Sequence, residues 1–220
     1  MTFKKYFQEL VVQGITPSRF MMHRALEDRN ARIVSPCVDL GGGKPQAQTY
    51  LKHFRYETPE KVLLADISPE ADVYCDLDKT LPFAEGQFKT VLVINVLCLI
   101  FNYESVLKEV YRILEKGGKA YIWTSLNANT HPHPNDYFRF TDQALLKIFK
   151  QAGFSKVEVY PYGGIALTIG TYMGQLTQKV KPVATLLYLM SFGFNRIIDL
   201  VKPQKNAQKL PLGYLCVVTK

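Results

Sequence analysis

No cysteine in the 220-residue chain stands in a CxxC pair or beside a histidine at zinc spacing. The four present, Cys37, Cys75, Cys98 and Cys216, each sit inside an apolar run. They read as buried free thiols in a reducing compartment, which makes the cytoplasm the expected location. Internal repeats and low-complexity tracts are missing, which excludes a solenoid or an array. Long apolar runs are missing too. The richest, VATLLYLMSFGF at 183–194, has twelve residues, too few to span a bilayer. The opening MTFKKYFQELVVQ lacks an apolar core and a small-residue cleavage site, so it reads as an amphipathic helix and not as a signal peptide. Acidic residues are scarce at the ends. Residues 1–32 hold six Lys/Arg against three acids, and 175–220 hold seven against one, whereas 33–174 hold fourteen against fifteen. A basic end faces nucleic acid, an anionic membrane, a phosphorylated substrate, or only solvent.

What is there suits one globular domain. Apolar runs alternate with helical periods. RIVSPCVDL (32–40), KVLLAD (61–66), ADVYCDL (71–77), FKTVLVINVL (88–97), KAYIWTSL (119–126), SKVEVYPY (155–162) and GYLCVVTK (213–220) read as seven strands. Between them, 103–118 spaces Val106, Val110, Ile113 and Leu114 on one helical face and is expected to stop at Gly117-Gly118. A second helix is expected over 141–154, with Thr141 as its N-cap and Gly153 as its stop. Strand and helix taking turns predict a wound α/β sheet, which binds ligands beyond the carboxyl ends of its strands.

The residues at those ends are suggestive. Asp39 is followed by Gly41, Gly42 and Gly43, where the absence of Cβ atoms lets a backbone turn sharply against a ligand. Asp66 lies about 25 residues further on, near the spacing of an acid that holds ribose hydroxyls. Asp76-Leu77 ends the third strand and Asn95 the fourth. Each acid alone could cap a turn. Their shared position at successive strand ends favours a ligand site.

Together these segments resemble the class I methyltransferases, which use S-adenosylmethionine (SAM). VDLGGGKP is similar to the family's first motif and LLADIS to its second. CDLDKTLPFAEGQFKTVLVINVL and VLKEVYRILEKGGKAYIWT are similar to the segments that follow, and the match spans roughly 33–160. The resemblance implies a Rossmann-like α/β fold with a seven-stranded, mostly parallel sheet, an antiparallel last strand and helices on both faces. It implies SAM as cofactor, held by Asp39, Gly41, Gly42, Gly43, Asp66, Ile67, Asp76, Leu77 and Asn95. HPHPNDYFRFT, after the fifth strand, resembles the methyltransferases of bacterial surface-polysaccharide and glycan biosynthesis. The chain departs from the family in three places, one of them His133, which stands where relatives often carry an aromatic. The helix after the second strand is nearly absent, and Cys98-Leu99 replaces the usual Glu-His.

Methyl transfer to a sugar hydroxyl is an in-line displacement that gains from a general base. His131 or His133 is the expected base, with Asp136 orienting it and Arg139 holding Asp136 or an anionic substrate group. A His-x-His beside an acid also resembles metal ligation, but no further ligands cluster in the sequence and no metal is expected. A plain structural pairing of Asp136 with Arg139 is the alternative. The chain divides into an N-terminal helical segment (1–32), a SAM-binding core (33–160), a helical insertion (161–212) and the last strand (213–220). The insertion should leave the sheet at its ligand end. Its lysines at 179–209 suit peripheral contact with the inner face of a membrane and a lipid-linked glycan acceptor. An oligomer contact is the other reading. Methylation of another small molecule or of RNA is an alternative, although no RNA-binding module is visible. A non-catalytic binding subunit is a further one, disfavoured by the intact Asp39, Gly41, Gly43, Asp66 and Asp76.

Overall fold

The computed structural model describes residues 3–9, 13–44, 48–58, 61–130, 135–177, 179–201 and 207–220. Helix α1 (Phe3–Phe7) and helix α2 (Pro17–Asp28) precede the sheet, and Thr16 caps α2 by accepting the Arg19 N–H. The strands are β1 (Arg32–Ile33), β2 (Cys37–Leu40), β3 (Arg55–Tyr56), β4 (Leu63–Asp66), β5 (Val73–Tyr74), β6 (Phe88–Ile94), β7 (Leu114–Ser125), β8 (Lys156–Gly163) and β9 (Pro211–Thr219). Helices α3 (Tyr103–Ile113) and α4 (Asp142–Gln151) flank β7, while α5 (Ile165–Leu176) and α6 (Lys181–Val201) lie between β8 and β9.

Seven strands form one sheet in the order β5-β4-β2-β6-β7-β9-β8. All neighbours run parallel except β9, which is antiparallel to both β7 and β8. This is the doubly wound architecture expected of the sequence, with its antiparallel last strand. Some boundaries differ. The run 32–40 is two strands: β1 pairs with β3 in a small parallel sheet, and a cis Ser35-Pro36 bond separates it from β2. Helix α3 stops at Ile113 instead of reaching Gly117-Gly118. Leu114, fully buried, already pairs with Phe88, and Thr90 next pairs with Lys119. Gly117, at φ +81°, therefore serves an irregularity inside β7 and not a helix stop. Helix α4 is as expected: Thr141 caps its start, Ala152 is its C-cap, and Gly153 follows at φ +102° as the stop.

Strand β6 is central and almost wholly buried, which is why it reads as a continuous apolar run. Its side chains alternate. Val91 and Val93 join the core beneath α3 and α4, with Leu107, Val110 and Phe149. Leu92 and Ile94 join the opposite core beneath α2 and α6, with Phe20, Leu26, Trp123 and Phe192. The sheet is held on both faces, and its carboxyl edge is left to loops.

Candidate functional site

Those loops converge. Asp39, at the end of β2, is fully buried, and its Oδ2 accepts from Gln48 Nε2 (2.6 Å) and the Tyr50 hydroxyl (2.5 Å). Burial raises its pKa to about 6 against these two hydrogen bonds, and Asp66 nearby adds to the rise. Above it the chain turns through Gly41 (φ +71°) and Gly43 (φ +72°). A Cβ on Gly41 would meet the Val96 methyls at 2.7 and 2.8 Å. Asp66, at the end of β4, accepts the Gly43 N–H with Oδ2 (2.9 Å) and the Ser68 N–H with Oδ1 (2.8 Å). Its neighbour Ile67 is exposed and Leu77 half-buried. Asp76 accepts the Asp78 N–H (3.1 Å) and pairs with Lys79 Nζ (3.0 Å), and these contacts lower its pKa.

A second group lies beyond β6 and β7. Asn95 takes a left-handed conformation (φ +58°), which asparagine tolerates, and accepts Ser125 Oγ on its Oδ1 (3.0 Å). Ser125 Oγ is 3.2 Å from Ser18 Oγ on α2. Arg139 makes a two-pronged pair with Asp136, and its guanidinium also donates to the carbonyls of Phe138 (2.9 Å) and Asn129 (3.2 Å). The Tyr137 N–H donates to the Cys98 carbonyl (2.9 Å), which ties this loop to the end of β6. Asn95, Ser125, Asp136, Arg139, Ser18 and Arg19 line one cavity of about 350 Å³. A larger hollow of about 550 Å³, lined by Arg32, Lys89, Glu115 and Glu158, opens at the opposite, amino edge of the strands. In a wound sheet the carboxyl edge is where loops converge on ligands, so the smaller cavity is the candidate site.

Residues 38–122, less than half of the chain, match the family model described as a methyltransferase domain. The chain has the class I methyltransferase fold. Solved structures of low identity share the fold. A SAM-dependent methyltransferase of Thermotoga maritima matches with TM-score 0.56 and 15% identity over 99% of this chain and 95% of that one. Phosphoethanolamine N-methyltransferase 2 of Haemonchus contortus, solved with SAM, matches with TM-score 0.53 and 14% identity over 100% of this chain and 60% of that one. The [4+2]-cyclase SpnF matches with TM-score 0.54 and 13% identity over 92% of this chain and 80% of that one. Among curated proteins, none matches the chain in sequence.

SAM is bound in the Haemonchus contortus structure, and the donor set at this edge of the chain fits it. Asp66 gives each carboxylate oxygen one backbone partner, which leaves further acceptor positions for a ribose diol. Ile67 and Leu77 offer apolar surface beside it. Asp39 takes a different part from the one expected. It lies beneath the loop, fixing Gln48 and Tyr50 under the glycines, and is itself closed off from solvent. Sequence reasoning missed Gln48, Tyr50, Ser18 and Arg19. The Thr16-Pro17-Ser18 helix start was the available signal for the last two. His131 and His133 lie outside the described residues.

Gly42 tests the packing. Its φ is ordinary, but an added Cβ would sit 2.5 Å from Asp39 Oδ2 and 2.8 Å from Leu64 Cδ1. Gly42→Ala should lower stability by about 1–3 kcal/mol in urea unfolding and weaken SAM binding in step. An unchanged midpoint would remove Asp39 from its place under the loop.

Proposed function

We propose that this methyltransferase domain moves the methyl group of SAM to a hydroxyl of a sugar or glycan. The reading is supported by one observation above others. Four segments deliver the Asn95, Ser125 and Ser18 polar groups and the Asp136–Arg139 pair to one cavity at the carboxyl edge, beside the nucleoside cradle. Hydroxyl and amide groups of this kind match the alternating donors and acceptors of a saccharide.

SAM, when bound, supplies a methyl group on a sulfonium that leaves as a neutral thioether. The protein's own residues have three tasks. Asp66 and the glycine turn fix the nucleoside. The cavity groups orient the acceptor hydroxyl for in-line attack and exclude water. A histidine of the 131–134 segment, His131 or His133, takes the hydroxyl proton as the new O–C bond forms and the C–S bond breaks. Asp136, fixed by Arg139 with its side chain only 4% exposed, has the task of orienting that histidine or the acceptor.

The test is release of S-adenosylhomocysteine with saccharide and nucleotide-sugar acceptors, set against RNA and small amines. Replacing the operative histidine by alanine should lower turnover about 10²–10⁴-fold with SAM affinity unchanged. Turnover kept in both His131→Ala and His133→Ala would remove the histidine base. Turnover with amines or RNA alone would remove the glycan acceptor.

A further inference from the structure

Helices α5 and α6 form an antiparallel pair packed at close range. Gly170 faces Ser191 and Gly174 faces the Tyr188 ring so tightly that a Cβ at either would overlap its neighbour, at 2.0 and 2.1 Å. One face of α6 is held by the protein. Phe192 stacks on Tyr6 with centroids 3.9 Å apart, and Asn195 donates to the Gly163 carbonyl and to Asp199. The other face is apolar and bare. Val183, Leu186, Met190, Phe194, Ile197 and Leu200 recur at spacings of three and four residues, and all are exposed, Leu200 by 79%. Helix α5 extends the strip with Ile169, Tyr172, Met173 and Leu176, the last 81% exposed. Most of the large apolar side chains exposed among the described residues fall in this one stretch. An apolar surface of that extent marks a docking face.

Two occupants compete, a second copy of the chain and a lipid surface. Charge separates them. Residues 175–220 hold seven Lys/Arg against one acid, and in the sequence lysines flank the apolar strip on both sides, with Lys179 before α6, Lys181 at its first position, and Lys202, Lys205 and Lys209 after it. Pairing two copies across this face, parallel or antiparallel, sets basic end against basic end. An anionic bilayer neutralises both ends at once. Helix α6 has the length and apolar composition of a membrane span over Lys181–Leu200, but its second face is fixed to the domain through Tyr6, Gly170 and Gly163. It therefore lies along a surface rather than across one.

We propose that the α5–α6 face docks the domain in the plane of an anionic lipid bilayer. The apolar strip sinks into the interface, and Lys179, Lys181 and Lys209, all exposed, engage the headgroups. The Tyr172 hydroxyl on this face lies 3.5 Å from Asn127 Oδ1, two residues before the cavity-lining Asn129, so docking brings the methyl-acceptor cavity to the lipid surface. The inference stands on the helix pair alone and does not depend on the nature of the acceptor.

Co-sedimentation of the full chain with phosphatidylcholine vesicles, with and without phosphatidylglycerol, tests it. The protein should sediment with the anionic vesicles and at least about tenfold less with the neutral ones, with the difference shrinking as salt rises. The combined Leu186→Gln, Met190→Gln and Phe194→Gln variant alters only exposed positions. It should lose vesicle binding while keeping its melting temperature and its SAM affinity. Lys179→Glu with Lys181→Glu should weaken binding about tenfold or more. Undiminished sedimentation of the glutamine variant would overturn the proposal. So would a dimer in light scattering that the glutamine variant dissolves, with no binding of the parent to vesicles, since the second copy would then be the occupant.

Discussion

Asp66→Asn should leave a folded protein whose affinity for SAM is about 10–10⁴-fold weaker, from the loss of one or two hydrogen bonds to a charged group at about 1.5–3 kcal/mol each. The geometry gives Asp66 two tasks. Its Oδ2 accepts the Gly43 N–H and its Oδ1 accepts the Ser68 N–H. The remaining lone pairs leave acceptor positions for a ribose diol. Asparagine keeps one acceptor oxygen and turns an NH2 toward a backbone N–H, so one loop contact becomes donor against donor. The glycine turn then loses its tie to β4 while the diol loses its charged acceptor. Calorimetric titration with SAM and with S-adenosylhomocysteine measures the effect, and a melting curve without ligand checks the fold. Affinity within about threefold of the parent would mean that the nucleoside does not sit on Asp66, because a single charge-assisted hydrogen bond is already worth more than that.

The parts of this domain that could be read from the chain are those whose physics is local. Strand β6 announces itself because burial on both faces demands an unbroken apolar run. The acids and glycines at the ends of β2, β4 and β5 were visible because a wound sheet sends ligands to its carboxyl edge. Distant packing was hidden. Gly117-Gly118 reads as a helix stop, yet Leu114 is drawn into the core beside Phe88 and the glycines absorb the resulting offset. Asp39 reads as a ligand residue, but only the folded chain brings the Tyr50 hydroxyl to it and closes it from solvent. The contribution of Ser18 to the cavity needs α2 laid across the sheet, 107 residues in sequence from its partner Ser125, and no spacing rule reaches so far.

Another pairing invisible in the sequence sets the second large expectation. His23, on α2, is 1% exposed, stacks on His53 at 4.1 Å and places Nδ1 3.2 Å from Glu9 Oε2. His53 Nδ1 lies 2.7 Å from Glu27 Oε1. Glu9, His23 and His53 are close enough together to suggest a metal, but the two rings are nearly parallel, at 19°, so their in-plane lone pairs cannot meet at one ion. Titration is the more direct consequence. Burial, then the charges of His53, Lys52, Arg19 and Lys5, lowers the His23 pKa from 6.5 to about 3. Above pH 6.5 the imidazole is neutral in both folded and unfolded chains and pH has no leverage on it. Below 6.5 the unfolded chain takes up a proton that the folded one refuses, so stability falls as pH falls toward 3. At pH 5 the loss from this group is about 2 kcal/mol relative to pH 7.5. Asp39 works in the opposite sense. Its pKa is raised to about 6, so the folded chain holds a proton that the unfolded one releases, and stability from this group grows as pH falls from 6 toward 3.8. The pH dependence of the parent alone would therefore mix the two. Comparing it with His23→Gln separates them, since Asp39 is common to both proteins. Urea unfolding at pH 7.5 and pH 5 should show the parent losing about 2 kcal/mol more than the variant across that interval. Equal pH dependence in the two proteins would mean that Glu9 takes up the imidazolium in the folded state and cancels the cost of burial.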